Sequence, residues 1–409
     1  MHLPLTPQRR SGPSGAKLEA TLTSMSVILP LELQFLVLDQ SSVDVLYFRD
    51  LCTVCRAWGA HAQKIIFRHV WVTLVTIRRL WLLLRYKPHL GTYIETVTVA
   101  GSLRSPFGHT SMQQLFRYLS DIMPNVRTLD ILITKFGPEL VPLQHSALRK
   151  ITHLRLRSAA FAFRDTLLQF IALFPHLEGL EVSGDYVLHT TPPKFSPPPP
   201  KHLRYLACNA FCYDSVMKWL ASGPTMVDNL YITAWGYNDS LLEEFLFKIG
   251  NRLQRLRLTD LGTQWAPLNE FTIPPCPSLK SLEIDLHRST SSRNLLESGF
   301  LSILKQLSSS VLSTMYFDTH VTADHLQLPW DKVDVVLADF TGLQEVIFDL
   351  HGFVKVTETN ENAFVPTYVE VCDGMRKAMV ISEARGILKF WCAGRGTSTA
   401  SHLCRYVFC

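Results

Sequence analysis

Cysteine is scarce in this sequence, and the few cysteines are not arranged as bridges or metal ligands. There are nine in 409 residues, too few for a disulfide scaffold, and no Cys/His cluster has zinc-finger spacing. We therefore expect reduced thiols and no metal site. Cys52 and Cys55 have the spacing of a redox motif, but they fall in a predicted helical stretch without a second pair, which favours a structural role.

An excess of one charge sign is lacking as well. Lys and Arg number 40 against 35 Asp and Glu, a net charge of +5, and the excess is spread along the chain. This argues against the dense basic face of a nucleic-acid-binding protein. One basic helix, predicted from Thr76 to Tyr86 with Arg78, Arg79 and Arg85, keeps nucleic-acid binding open as an alternative to a solvated helix face.

No uninterrupted apolar run of membrane-spanning length is present. The most apolar stretch, Val70 to Tyr86, contains Arg78 and Arg79, and a charged pair in mid-span disfavours a membrane helix. The first 25 residues lack the apolar run of a secretory signal. We expect a soluble protein without a membrane partner, located in the cytoplasm, the nucleus or both.

Catalytic motifs are also missing. The sequence has no Gly-x-Ser-x-Gly elbow, no His-Glu-x-x-His pair and no Walker loop. Its 15 histidines are scattered, and none is spaced from a cysteine or aspartate in a recognisable way. We expect no cofactor and no enzymatic activity in this chain.

What the sequence does contain is a repeat of the form Leu-x-x-Leu-x-Leu. Its second apolar residue recurs at intervals of 25, 26, 26, 24, 26 and 26 residues, and a fixed period of this length is typical of a solenoid. Two looser units follow at intervals of 33 and 31 residues. The second apolar residues are Leu129, Leu154, Leu180, Leu206, Leu230, Leu256, Leu282, Met315 and Val346.

Each unit is predicted to be a strand, a turn and a helix, because the apolar period changes from two to 3.6 after each motif. Stacked units of this kind bury a continuous apolar core that no single unit can form. Asp165, Asp214 and Asp239 are placed to cap three of the helices. The predicted fold class is therefore α/β, with a parallel sheet inside and helices outside.

The strand–helix unit resembles the leucine-rich repeat over about residues 90–392. The sequence departs from that family at one position, three residues after the third apolar residue, where the family has an asparagine. The resemblance therefore does not extend to the family's buried amide ladder. The residues at that position are Ala159, Asp185, Phe211, Trp235, Leu261 and His287.

A different pattern precedes the repeats, and its motif order resembles the F-box. The resemblance rests on Leu29-Pro30, Glu32, Leu33, Asp44, the segment from Leu51 to Trp58, and Phe67. It implies three helices that bind a Skp-type adaptor of a cullin-based ubiquitin ligase. The adaptor-contacting positions that it implies are Leu29, Pro30, Leu33, Val54 and Trp58; the alternative is that these residues pack the three helices together and dock them on the solenoid.

These patterns divide the chain into four parts. We expect a disordered tail at 1–25, an F-box-like helical domain at 26–70 and a divergent leucine-rich-repeat solenoid at 71–363. Within the helical domain, one apolar helical stretch is predicted to run through Trp58 and a separate helix from about His61 to Arg68. A proline-rich insertion interrupts the solenoid at 189–201 and is predicted to be an extended loop. A C-terminal helix and a final capping strand are predicted within 364–409.

In each repeat strand the residues between the leucines alternate away from the core. They line the concave face of the predicted sheet and include tyrosine and arginine, which are enriched at binding hot spots. The candidate target-binding residues are Arg155, Arg157, Glu181, Tyr205, Tyr231, Arg255, Arg257 and Glu283.

Together the two resemblances imply a substrate-recognition subunit of a cullin-based (SCF-type) ubiquitin ligase. The F-box would bind the Skp-type adaptor and the solenoid would bind a target protein, while other subunits would supply the transfer chemistry. The alternative is a leucine-rich-repeat interaction scaffold without a ubiquitin role, in which the N-terminal helices only cap the solenoid.

Overall fold

The structure is a computed structural model of the whole chain. It describes residues 31, 54–73, 76–101, 109–132, 135–136, 146–157, 160–161, 164–183, 197–233, 239–259, 273–285, 301–307, 311–320, 329–351 and 368–392. Three predicted adaptor positions, Leu29, Pro30 and Leu33, lie outside these residues, as do the predicted tail and residues 189–196 of the proline-rich insertion.

The described residues form fourteen strands and eleven α-helices. The strands are β1 (His69–Thr73), β2 (Thr96–Ala100), β3 (Thr128–Leu132), β4 (Lys135–Phe136), β5 (His153–Arg157), β6 (Ala160–Phe161), β7 (Gly179–Ser183), β8 (Tyr205–Asn209), β9 (Asn229–Thr233), β10 (Arg255–Thr259), β11 (Ser281–Asp285), β12 (Thr314–His320), β13 (Glu345–His351) and β14 (Leu388–Cys392). The helices are α1 (Arg56–Arg68), α2 (Ile77–Tyr86), α3 (Pro88–Gly91), α4 (His109–Ile122), α5 (Arg164–Ala172), α6 (Ala210–Ala221), α7 (Asp239–Ile249), α8 (Leu301–Gln306), α9 (Trp330–Ala338), α10 (Tyr368–Ala378) and α11 (Val380–Ala384), with a 3-10 helix at Ser146–Lys150.

Twelve of the strands form one open sheet in the order β1-β2-β3-β5-β7-β8-β9-β10-β11-β12-β13-β14, which is chain order apart from a separate β4–β6 pair. Every neighbouring pair is parallel. Parallel neighbours require a crossover connection, and described helices lie in most of these connections, for example α6 between β8 and β9 and α7 between β9 and β10. The predicted α/β class is confirmed, and a sheet that stays open in this way fits the predicted solenoid.

The leucine motifs set the register of the sheet. Leu230 pairs with Leu256, and Leu256 pairs with Leu282. The longer intervals keep the same register, since Leu282 pairs with Met315 and Met315 with Val346. All five side chains are at most 1% exposed, so each contributes on the order of 1.5–3 kcal/mol to stability through burial.

The helices cover the leucine side of the sheet. Their buried residues belong to one hydrophobic cluster with the strand leucines, and neighbouring helices contact each other, as in the pairs α6–α7, α8–α9 and α9–α11. Aromatic rings connect successive units: Phe116 of α4 meets Phe174 edge to face at 6.4 Å between ring centroids. The core is therefore continuous along the described array, as stacked repeats require.

Two predicted helix boundaries were wrong. We expected a new helix at His61 after a separate apolar stretch through Trp58, but α1 runs unbroken from Arg56 to Arg68. Gly59 is buried inside this helix and does not end it. Asp214 was expected at a helix start, yet α6 begins at Ala210, directly after β8, which places Asp214 in the second turn.

The C-terminal end is built from β14 and the helices α9, α10 and α11. The predicted helix from Phe364 to Lys377 corresponds to α10, and the predicted final strand corresponds to β14. Asp334 of α9 is 2% exposed and accepts hydrogen bonds from the backbone amides of Ile381 and Ser382, at 2.7 and 2.9 Å. Both amides lie in the first turn of α11, where backbone N–H groups have no acceptor within the helix. By accepting from them, Asp334 holds the N-terminus of α11 against α9.

The end of the proline-rich insertion is held against the body of the protein. Residues 197–200 have no regular secondary structure, in agreement with the prediction for that stretch. The Trp219 indole N–H donates to the carbonyl oxygen of Pro197. Pro199 lies so close to Gly223 that a Cβ atom on residue 223 would approach the proline ring within 2.4 Å.

None of the described helices has the length and apolar character needed to cross a membrane.

Candidate partner-binding face

The face of the sheet opposite the helices carries the first, third and fifth residue of most strands, and we call it the polar face. From β5 to β11 the second and fourth residues are buried, whereas the residues between them are almost all partly exposed. The polar face contains all eight predicted target-binding residues, Arg155, Arg157, Glu181, Tyr205, Tyr231, Arg255, Arg257 and Glu283.

At the β3–β5 end, Arg157 and Asp130 form a two-pronged ion pair. The Arg157 Nε donates to Asp130 Oδ1 at 3.1 Å, and Nη2 donates to the other carboxylate oxygen. Burial lowers the pKa of the Arg157 guanidinium, but the hydrogen bonds and charge of Asp130 outweigh it, so that pKa lies above its ordinary value. The side chain of Asp130 is only 3% exposed, so this ion pair has a structural role. It occupies the Arg157 guanidinium, which is less able to contact a partner.

The next pair joins Arg155 of β5 to Glu181 of β7. Their Nε and Oε2 atoms are 3.5 Å apart, and each side chain is about one quarter exposed, at 27% and 26%. Burial raises the pKa of the Glu181 carboxyl, although the charges of Arg155 and Arg157 oppose the shift. The two residues are accessible to a partner, but a partner must offer groups that replace or extend the ion pair.

The centre of the face is aromatic. The rings of Tyr205 and Tyr231 lie on neighbouring strands with centroids 5.0 Å apart, and Arg255 lies close enough to Tyr231 for its charge to act on the phenol. Burial, with a contribution from Glu181, raises the pKa of Tyr205, and burial also raises the pKa of Tyr231. Both hydroxyl groups therefore stay protonated at neutral pH. Tyrosine and arginine are among the residue types that contribute most to binding energy at protein interfaces, and here two tyrosine rings lie beside an exposed arginine.

Beyond this centre, Arg257 of β10 links two further strands. Its Nη1 lies 3.1 Å from Glu283 Oε1, and its Nη2 lies 3.8 Å from Asp318 Oδ2. Only 15% of the Arg257 side chain is exposed. Like Arg157, it is held mainly by the protein's own carboxylates, so Arg255 is the more accessible of the two predicted arginines on β10.

Among the members of the polar face that sequence reasoning missed are Asp130, Tyr316, Asp318 and Asp349. The three aspartates are 2–4% exposed, and the Tyr316 hydroxyl donates to an Asp349 oxygen. The same alternation rule would have found them: Asp130 lies between Leu129 and Ile131 in the middle of its strand. Their burial could not be predicted, because buried carboxylates are rare unless they have partners.

The two predicted adaptor positions that the structure describes lie at the start of α1. Val54 is 60% exposed, and Trp58 is partly buried in the first turn of the helix. Between them, the exposed thiol of Cys55 accepts a hydrogen bond from the Trp58 amide at 3.5 Å. This bond gives Cys55 a capping role at the N-terminus of α1, in line with the structural role predicted for it.

The polar face therefore combines two packed tyrosine rings with partly exposed charged side chains. Among the described residues, no group of three or more histidine, cysteine, aspartate or glutamate side chains could hold a metal ion. The chain matches none of the protein-family models against which it was compared, and no curated protein is significantly similar to it.

Proposed function

We propose that this chain is the substrate-recognition subunit of a cullin-based (SCF-type) ubiquitin ligase. In this proposal the F-box-like segment binds a Skp-type adaptor through Leu29, Pro30, Leu33, Val54 and Trp58. The polar face binds the target protein, and catalysis belongs to other subunits. The chain would act in the cytoplasm, the nucleus or both.

The aromatic centre of the polar face is the observation that carries the target-binding half of the proposal. Tyr205 and Tyr231 present two packed rings beside Arg255, and ion pairs flank them on both sides. A solvated sheet face has no need for paired rings, whereas an interface gains from large side chains that lose little conformational entropy on binding.

The adaptor half rests on the F-box-like order of motifs and on the exposure of Val54. An aliphatic side chain that is 60% exposed next to an aromatic residue on the same helix end is suited to packing against a partner. The alternative is that these residues serve only to attach the N-terminal segment to the repeats.

Isothermal titration calorimetry with the purified full-length chain and a Skp-type adaptor tests the proposed adaptor binding directly. We expect the wild type to bind, and Leu33→Asp and Trp58→Asp each to weaken binding by about a hundredfold, because each buries a charge in an apolar contact. The matched control is Val335→Asp, since Val335 is similarly exposed, at 61%, but lies on α9. Circular dichroism would establish that all variants are folded.

Adaptor binding that both N-terminal substitutions leave unchanged in folded protein would contradict the proposed contact. A folded wild-type chain that does not bind the adaptor at all would contradict the ligase role. That outcome would favour an interaction scaffold whose N-terminal segment only caps the repeats.

A further inference from the structure

The charge of the polar face changes sign along the array. In its β5–β10 section, four arginines stand against one glutamate. The section from β11 to β14, which we call the acidic end, reverses this balance. Its charged residues on the polar face are Glu283, Asp285, Asp318, Glu345, Asp349 and Lys389. In the described residues of these four strands, Lys389 is the single lysine or arginine.

Ion pairs reduce the negative charge of the acidic end but do not cancel it. Arg257 reaches Glu283 and Asp318 from β10, and Lys389 donates to Glu345. These two cations stand against five carboxylates, so the strands of the acidic end present a net negative charge. The Glu345 side chain is 38% exposed, so part of this charge is accessible to a partner.

The register of the sheet places a tryptophan at the end of a row of aspartates. Asp285 pairs with Asp318, Asp318 with Asp349, and Asp349 with Trp391. Neighbouring strands are about 4.8 Å apart, so the four residues form one continuous row. Asp318 and Asp349 are 4% and 2% exposed, whereas Trp391 is 45% exposed. The indole therefore offers contact surface, and the two buried carboxylates act on it through their charge.

Tyr316 links the indole to the carboxylates. Its ring meets Trp391 edge to face, with centroids 5.8 Å apart, and its hydroxyl donates to Asp349. Burial, the bond to this carboxylate with its charge, and the charges of Asp318 and Glu283 raise the pKa of Tyr316. The phenol therefore stays protonated at neutral pH, and both aromatic rings lie in a negative field.

An exposed indole in a negative field suits a cationic side chain. Tryptophan is the most favourable ring for a cation–π contact with lysine or arginine, and the surrounding carboxylates attract the same charge. An acidic or phosphorylated segment would be repelled at this place. A purely apolar segment would remove water from the accessible carboxylates without replacing its hydrogen bonds.

We propose that the acidic end binds a basic segment of the target protein, with one lysine or arginine side chain stacked on Trp391. The inference rests on the proposed function, because it takes the polar face to be the target-binding surface. It adds the chemistry of the target, which is positively charged where it crosses β11–β14. Binding that depends on this charge weakens as the salt concentration rises.

Peptide selection on the immobilised full-length chain tests the charge of the bound segment. The probe is a phage-displayed library of random peptides about twelve residues long, which span on the order of 40 Å when extended. Peptides that also bind the chain with Tyr205→Ala and Tyr231→Ala are discarded, so that those retained bind the polar face. We expect the retained peptides to be enriched in lysine or arginine.

Titration of the retained peptides then tests the contact with Trp391. Trp391→Ala is expected to raise the peptide Kd about tenfold, and the control Trp71→Ala should leave it unchanged. Trp71 is 65% exposed but lies on β1, at the opposite edge of the same sheet. Replacing the basic residue of the peptide with glutamine should also raise the Kd about tenfold, and this change leaves the protein unaltered.

The carboxylates are tested by their effect on salt dependence. Asp285→Asn with Glu345→Gln should weaken peptide binding and make it less sensitive to salt. The control is Glu244→Gln with Asp331→Asn, which changes the net charge equally at exposed positions of α7 and α9. This control should leave the Kd within about twofold.

Three outcomes would overturn the inference. If the retained peptides show no excess of basic residues, or bind the Trp391→Ala chain as well as wild type, the target-binding role of the polar face stands and its basic occupant is wrong. If no peptide is retained, both fail. If peptides bind only after Arg395→Gln with Arg405→Gln, the C-terminal segment of the chain occupies the acidic end in place of a target.

Discussion

Replacing Phe348 with alanine is expected to lower the free energy of unfolding by about 3–5 kcal/mol. Phe348 of β13 is fully buried and connects three neighbouring elements. Its ring stacks on Phe317 at 4.8 Å and on Phe390 at 5.6 Å, and it meets Trp330 edge to face at 5.3 Å. Its removal leaves a cavity between successive repeats and also removes aromatic contacts.

Urea unfolding of the purified chain measures this effect, and Phe247→Ala is the control. Phe247 lies on α7 and is 64% exposed, so its loss should change the free energy of unfolding by less than about 0.5 kcal/mol. Equal effects of the two substitutions would contradict the packing of β12, β13 and β14 described above. A repeat array can unfold in more than one step, so the comparison applies to the transition that reports the C-terminal repeats.

Substituting Arg157 with leucine is expected to cost about 3 kcal/mol, because it leaves the carboxylate of Asp130 buried without its cation. Thr98 would remain as a hydrogen-bond donor, at 3.4 Å, but it carries no charge. Adding Asp130→Asn to Arg157→Leu removes the buried charge, and should recover a large part of the loss. Such a recovery would show that the loss in the free energy of unfolding comes from the unpaired charge of Asp130 and not from the smaller side chain at position 157.

The control for this pair is Arg117→Leu. Arg117 and Asp121 lie 3.8 Å apart on the surface of α4, with side chains 76% and 59% exposed, and such exposed pairs contribute little. Unfolding monitored at neutral pH should show a change below about 0.5 kcal/mol for Arg117→Leu. If Arg157→Leu were as mild as this control, Asp130 and Arg157 would not form the buried ion pair seen on the polar face.

The strands of this fold could be predicted because their signal is local and repeated. Leu256 and Leu282 are separated by one period, and the same period recurs along the chain, so pairing and register follow together. The residues at which the helices begin were harder to predict. Asp214 is a residue type that commonly caps helices, but α6 begins four residues earlier, at Ala210, directly after the last residue of β8. Where this helix begins depends on packing and not on side-chain propensity.

The membership of the polar face could also be predicted, because strand alternation assigns each residue to a side. What could not be predicted is which charges neutralise one another. Arg157 pairs with Asp130 on the preceding neighbour strand, whereas Arg257 pairs with Glu283 on the following strand and reaches past it to Asp318. Such choices depend on side-chain conformers and burial, which strand alternation does not encode. As a result, Arg255 and the tyrosines are better candidates than Arg157 for the proposed partner contact.

The central claim is that the chain connects an adaptor at its N-terminal end to a target on its polar face. The most direct measurement is proximity labelling in cells, with the labelling enzyme fused after the C-terminal residue and with or without proteasome inhibition. Wild type is compared with Trp58→Asp, which is designed to disable the proposed adaptor contact, and with Tyr205→Ala combined with Tyr231→Ala, which removes the two rings of the aromatic centre.

The proposal predicts a labelled protein that accumulates with wild type only when the proteasome is inhibited. With Trp58→Asp the same protein should be labelled whether or not the proteasome is inhibited, because it is bound but not ubiquitylated. With the double tyrosine variant its labelling should fall to background. A set of labelled proteins whose amounts respond neither to proteasome inhibition nor to Trp58→Asp would contradict the ligase role of this chain.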